Sequence, residues 1–186
     1  MCEHTRRDVL DRLEARGYVS GDARAVVTHP LTSRPSPPVL DESPGTVVEI
    51  VEQGGVEAWV QASAVGWGHT TDAALAANRA YGEAAAVADR PGLLLARSSV
   101  DGRVVGCAAL RITDGIATLG GMSTLPDERR RGVQAVLIAH RLELAVEAGC
   151  SLATSMAMPG GDSARNLLRC GFVPSHTRTT WERAAG

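Results

Sequence analysis

Arg129-Arg130-Arg131-Gly132 carries the plainest chemical signal in this chain. Three guanidinium groups stand in succession, and the glycine after them removes a side chain where a ligand would approach. The stretch lies where a helix must begin. Val133, Val136, Leu137, Leu144 and Ala148 recur at helical spacing, and Gly149 supplies a stop. The first turn of any helix presents unpaired backbone N–H groups and the positive end of its dipole. Such a site suits a phosphate or pyrophosphate. Taken alone, the same residues read equally well as a solvated basic cap beside Asp127 and Glu128.

Positioning this turn requires a strand before it and a core beneath it. Gly115 to Thr124 is mostly small and apolar, as a buried strand is, and Pro126 closes the loop that follows. Leu93 to Ser99 and Val104 to Ile112 read as a hairpin through Asp101-Gly102, with Pro91-Gly92 as a turn before it. Val56 to Gly66 and Thr71 to Ala88 read as helices, the second capped by Thr71 or Asp72. Strands are expected at 23–29, 47–51, 151–156 and 174–181, and helices at 5–16 and 163–170. Pro30 to Pro44 is rich in Pro and Ser and reads as a linker.

The composition is globular, with 44% hydrophobic and 22% charged residues, and 186 residues make one ordinary domain and a small appendage. A net charge of −2 argues against nucleic acid as the main partner, although all 19 basic residues are arginine. Cys2, Cys107, Cys150 and Cys170 show neither C-x-x-C nor metal spacing, so reduced thiols in a cytoplasmic protein, and no metal, are the expectation. No apolar run is long enough to span a bilayer, and Met1-Cys2-Glu3-His4 does not open a signal peptide.

A second motif gives the arginine turn its meaning. Ser163-Ala164-Arg165-Asn166-Leu167-Leu168-Arg169-Cys170-Gly171-Phe172 resembles Ser-x-Arg-Asn-x-x-Arg-x-Gly-Phe, found in a branch of the GNAT-type N-acetyltransferase superfamily. Arg129 to Gln134 resembles the superfamily's Arg/Gln-x-x-Gly-x-Gly/Ala, with Gln134 in place of the last small residue, as that branch also writes it. The resemblance covers roughly residues 46 to 183. It implies an α/β fold of the α+β type, with a mixed central sheet of six to seven strands flanked by helices. It implies an N-acetyltransferase that moves an acetyl group directly from acetyl-CoA, its cosubstrate, to an amine acceptor. The other reading is an inactive module of the same fold that binds CoA or a protein partner.

The resemblance also implies roles for residues. Backbone groups of Met122, Ser123 and Thr124 would pair with the pantetheine arm, and one N–H could polarise the thioester carbonyl. Arg129, Arg130, Arg131, Gly132, Val133, Gln134 and Ala135 would hold the pyrophosphate. Asn166 and Arg169 would add cofactor contacts, or else serve only as a helix cap and a surface charge. The family often places a tyrosine after its Gly-Phe turn as general acid, and here Ser175-His176 stands in that neighbourhood. Glu57, His69 and Asp72 fall where the family lines its acceptor side and are the candidate bases. Trp67 could wall a pocket there. His140 lies on the apolar side of the core helix and reads as packing.

Leu13 to Arg24 parallels Leu167 to Arg178 at a constant offset, since 171 − 17 = 154 and 178 − 24 = 154. One reading is chance similarity in an Arg- and Gly-rich chain; on the sharper one, residues 1–30 are the helix-strand tail of a degenerate first copy of the fold. Residues 31–45 then form a linker and 46–186 the acetyltransferase domain. With the rest of that copy missing, the strand in 1–30 is expected to pair with the main sheet, with a neighbouring chain or not at all. Pairing with a second copy across a two-fold axis would protect its edge, and a homodimer is the expectation.

Overall fold

The computed structural model describes residues 7–31, 45–88 and 91–183. The chain divides into two compact units, His29–Thr154 and the joined segments Met1–Thr28 and Ser155–Gly186.

The larger unit is built on β2 (Thr46–Ile50), β3 (Pro91–Ser98), β4 (Val104–Thr113) and β5 (Ile116–Thr124), followed by the first half of β6 (Leu152–Ala157). Its strands are hydrogen-bonded in the order β2-β3-β4-β5-β6. β2 to β5 pair antiparallel, with Asp101-Gly102 turning the chain straight back from β3 to β4 and Asp114-Gly115 from β4 to β5. Helices α2 (Val56–Trp67), α3 (Asp72–Ala88) and α4 (Val133–Glu147) flank these strands. In β3, Leu93, Leu94, Leu95 and Ala96 are all buried, which requires cover on both faces. Alternation divides that cover. Leu93, Leu95, Cys107 and Ala109 pack with Trp59 and Val60 of α2, whereas Ala96, Val105 and Ala108 pack with Val133 and Leu137 of α4.

In the smaller unit the order is β6-β1-β7, with β1 (Tyr18–Pro30) antiparallel to β7 (Val173–Arg183). Helices α1 (Arg7–Glu14) and α5 (Asp162–Arg169) precede these two strands. Counted once, the strands among the described residues number seven, in a mixed sheet flanked by helices. Helices α1 and α5 have 8 residues each. In the β1–β7 ladder Arg24 lies opposite Arg178, its own equivalent in the repeat.

Several expectations change. β1 runs from residue 18 rather than 23, because its pairing with β7 extends to Tyr18 opposite Arg183. It has β6 on one side and β7 on the other, so of the pairings open to it the strand takes that with the main sheet. Pro91-Gly92 opens β3 instead of forming a separate turn, opposite Arg111 and Leu110. A proline is tolerated at the first residue of a strand. Most of the linker, residues 32–44, lies outside the described residues. Among the described residues no helix is long and apolar enough to cross a membrane.

Candidate active site

β5 is not regular. Cys107 lies opposite Ser123 and Ala109 opposite Gly120, so Ala108 on β4 faces two residues, Gly121 and Met122, on β5. This is a β-bulge, which bends its strand and re-aims the backbone. Gly121 adopts φ 54°, a left-handed conformation open to glycine at little cost. From the α2 face, the Trp59 indole donates to the Ala108 carbonyl at 2.8 Å. From α4, buried Arg141 donates to the carbonyls of Ala109 at 3.2 Å and Gly120 at 3.3 Å. The bulge is therefore held from both sides, just ahead of Ser123 and Thr124.

Beyond the bulge, a polar cluster ties β5 to α2. The Ser123 hydroxyl donates to the Ala62 carbonyl at 3.4 Å and lies 3.3 Å from the Cys107 sulfur. Burial pushes the Cys107 thiol up to about 11, so it stays protonated and unreactive at neutral pH. A Cβ on Gly66, in the last turn of α2, would stand 2.3 Å from the Ser123 hydroxyl oxygen. Only a glycine there lets α2 approach the end of β5 so closely.

The arginine turn follows. Pro126–Glu128 forms a single 3-10 turn. Glu128 is buried and accepts from Arg103 at 2.6 Å and from Arg131 at 3.3 Å. Arg129 donates to the Gly66 carbonyl at 3.0 Å. Arg129 and Arg131 thus also order the loop, and all three arginines are exposed. Gly132 is the N-cap of α4, with φ 78° and no side-chain cap hydrogen bond, and the opening turn runs through buried Val133 to half-buried Gln134 and Ala135. A left-handed glycine, an uncapped turn and neighbouring guanidinium groups fit an anionic phosphate. The pyrophosphate of CoA is such a group.

Around α2 and α3, Glu57 is engaged by Arg79, which donates to its two oxygens at 2.7 and 3.0 Å. Arg79, and then Gln61, hold the Glu57 carboxyl below the usual carboxylate range. His69 is half-buried just after α2, its backbone N–H bonded to the Ala64 carbonyl at 2.9 Å. Trp67 is exposed, and Asp72 is exposed in the first turn of α3. Thr71 caps α3 by accepting from the Ala74 N–H at 3.3 Å. His140 is half-buried on α4, 3.9 Å from Glu143.

The remaining site residues belong to the smaller unit. Asn166 and Arg169 bond to each other on α5 at 2.9 Å. Ser175 and His176 are exposed on β7, with the hydroxyl 3.1 Å from Nδ1 of the imidazole.

Trp59 and Arg141 were not legible as site residues. The signal for Arg141 was its phase, because it continues the buried stripe of Val133 and Leu137 at steps of four.

A mixed sheet flanked by helices, with a bulged strand running towards an arginine-flanked helix start, makes this an α/β protein. Residues 55–172 match the profile of the acetyltransferase (GNAT) family, and the chain belongs to that family. No curated protein sequence matches it. Its fold is similar to that of a GCN5-related N-acetyltransferase from Sphaerobacter thermophilus, at 20% identity and TM-score 0.73, over 95% of this chain and 56% of that one. A GCN5-related N-acetyltransferase from Kribbella flavida is similar over 100% of this chain and 67% of its own, at 22% identity and TM-score 0.70. A tandem GNAT protein from the clavulanic acid biosynthesis pathway matches 95% of this chain over 58% of its own length, at 16% identity and TM-score 0.67. This chain therefore spans little more than half of two of these three proteins.

Proposed function

We propose that the chain transfers an acetyl group from acetyl-CoA to an amine of a small molecule or peptide. The observation that carries this reading is the uncapped α4 start at Gly132, set directly after the bulged end of β5. In this reading the turn binds the pyrophosphate and the backbone of Met122 to Thr124 pairs with the pantetheine arm. The amine nitrogen attacks the thioester carbonyl, the C–S bond breaks, and the thiolate leaves and takes up a proton. Asn166 and Arg169 add contacts to CoA. The test is release of free CoA thiol from acetyl-CoA with a panel of amines. Binding without turnover would favour the inactive CoA-binding module instead.

The acid and base are assigned by what each group is already doing. Glu57 is held ionised by Arg79 and is a weaker base for it, so His69 takes the proton of the attacking amine in this reading. His176, with Ser175 beside it, supplies the proton to the leaving thiolate, a leaving group that needs little help. His69→Gln is expected to lower kcat by roughly 10²–10⁴-fold and His176→Ala by less. Unchanged turnover in the first variant, or a loss at the top of that range in the second, would reverse the assignment.

For residues 1–30 the same reading is of a closing helix-strand unit from a first copy, ahead of a linker at 31–45 and the transferase domain at 46–186. Its support is the offset of 154, the equal helix lengths, and the pairing of Arg24 with its equivalent Arg178. The tandem GNAT neighbour shows that two copies can share one chain. Replacing residues 7–28 with the sequence of 161–182 is expected to leave a cooperative thermal transition. A chimera that does not fold cooperatively would count against the equivalence.

A further inference from the structure

Arg141 is fully buried on the side of α4 that faces the sheet. A guanidinium stays charged in a protein, and burying it is unfavourable unless its donors are met. Here Nε donates to the Leu137 carbonyl of its own helix at 2.9 Å. Nη1 reaches the Ala109 and Gly120 carbonyls at 3.2 and 3.3 Å, and Nη2 lies 2.9 Å from the Met122 sulfur. Ala109 and Gly120 are the register pair bordering the bulge, and Met122 is one of the two residues within it. A leucine or methionine would fill the same space without the desolvation cost. The arginine spends its donors on the irregular part of β5.

We infer that Arg141 is a positioning residue for acyl transfer, fixing the β5 bulge so that the backbone of Met122 to Thr124 meets the thioester in one orientation. The inference rests on the acetyl-transfer reading above. Its physical basis is twofold. A planar fork that bonds both strands at the bulge removes their freedom to slide back into register. The charge-assisted bond to the Gly120 carbonyl also polarises that peptide group, making its N–H, that of Gly121, a stronger donor. Arg141 itself touches no substrate and moves no proton.

The test compares Arg141→Met and Arg141→Lys with the unaltered full chain. Amide hydrogen exchange over Gly120–Thr124 is expected to speed up by about ten-fold or more in Arg141→Met, with exchange in α3 unchanged. In the same variant kcat falls by about ten-fold or more, while CoA affinity in calorimetry stays within about two-fold. Lysine keeps the charge but loses the fork, so Arg141→Lys recovers part of kcat, and it carries the same comparison should Arg141→Met not fold. Unchanged exchange at the bulge, unchanged kcat, or CoA affinity falling in step with kcat overturns the inference. Failure of the unaltered protein to transfer acetyl to any amine overturns the acetyl-transfer reading and this inference with it. Full activity in both variants overturns this inference alone.

Discussion

Gly132→Glu is expected to weaken CoA binding by roughly ten- to a hundred-fold in calorimetry. The carboxylate would project from the N-cap of α4, where the proposed pyrophosphate sits, and oppose its charge. Loss of a charge-assisted contact to phosphate is worth about 1.5–3 kcal/mol, and each 1.4 kcal/mol is about ten-fold in affinity. The backbone adds a smaller cost, because φ is 78° and a residue with a Cβ is strained there by roughly 1–2 kcal/mol. Gly132→Asn separates the two effects, since asparagine tolerates the left-handed region and carries no charge. It is expected to bind CoA more tightly than the glutamate variant. Equal, undiminished affinity in both variants would remove the pyrophosphate from this turn. Arginine substitutions are a less clean probe, because Arg131 also neutralises buried Glu128 and Arg129 also holds Gly66.

Trp59→Ala is expected to cost about 3–5 kcal/mol of stability from the lost ring alone, with about 1 kcal/mol more for the indole hydrogen bond. The ring is fully buried and wedged between two glycines. A Cβ on Gly82 would lie 3.2 Å from it and one on Gly121 3.0 Å. Its centroid is 5.9 Å from that of Tyr81, and its N–H holds the Ala108 carbonyl at the bulge. Urea denaturation measures the loss, and Trp59→Phe isolates the hydrogen bond by keeping an aromatic ring. A loss below about 2 kcal/mol in Trp59→Ala would mean that the neighbours collapse into the space. The bulge would then not depend on the indole.

Both predictions concern one strand end, yet the sequence disclosed its two halves unequally. The helix start at Gly132 was legible because capping is local. Glycine, the arginines and the apolar spacing of α4 lie within a few turns of one another, and short-range geometry follows from them. The hairpin through Asp101-Gly102 and the order of helices and strands were legible for the same reason. The bulge was not, because Gly120-Gly121-Met122 looks like any small apolar stretch until β4 is laid beside it.

The sequence by itself determined the family, the order of its elements and the helix start at Gly132, since each rests on residues close together in the chain. Tertiary structure alone decided that Arg141 is buried and bonded to β5. An arginine in an apolar stripe can equally extend to solvent, and only the facing strands supply carbonyls for it. It also decided that Arg79, 22 residues away, occupies Glu57. The placement of β1 between β6 and β7 is of the same kind. Strand neighbours are chosen by which edges remain unpaired once the rest of the sheet has formed, and no local pattern of side chains records that choice.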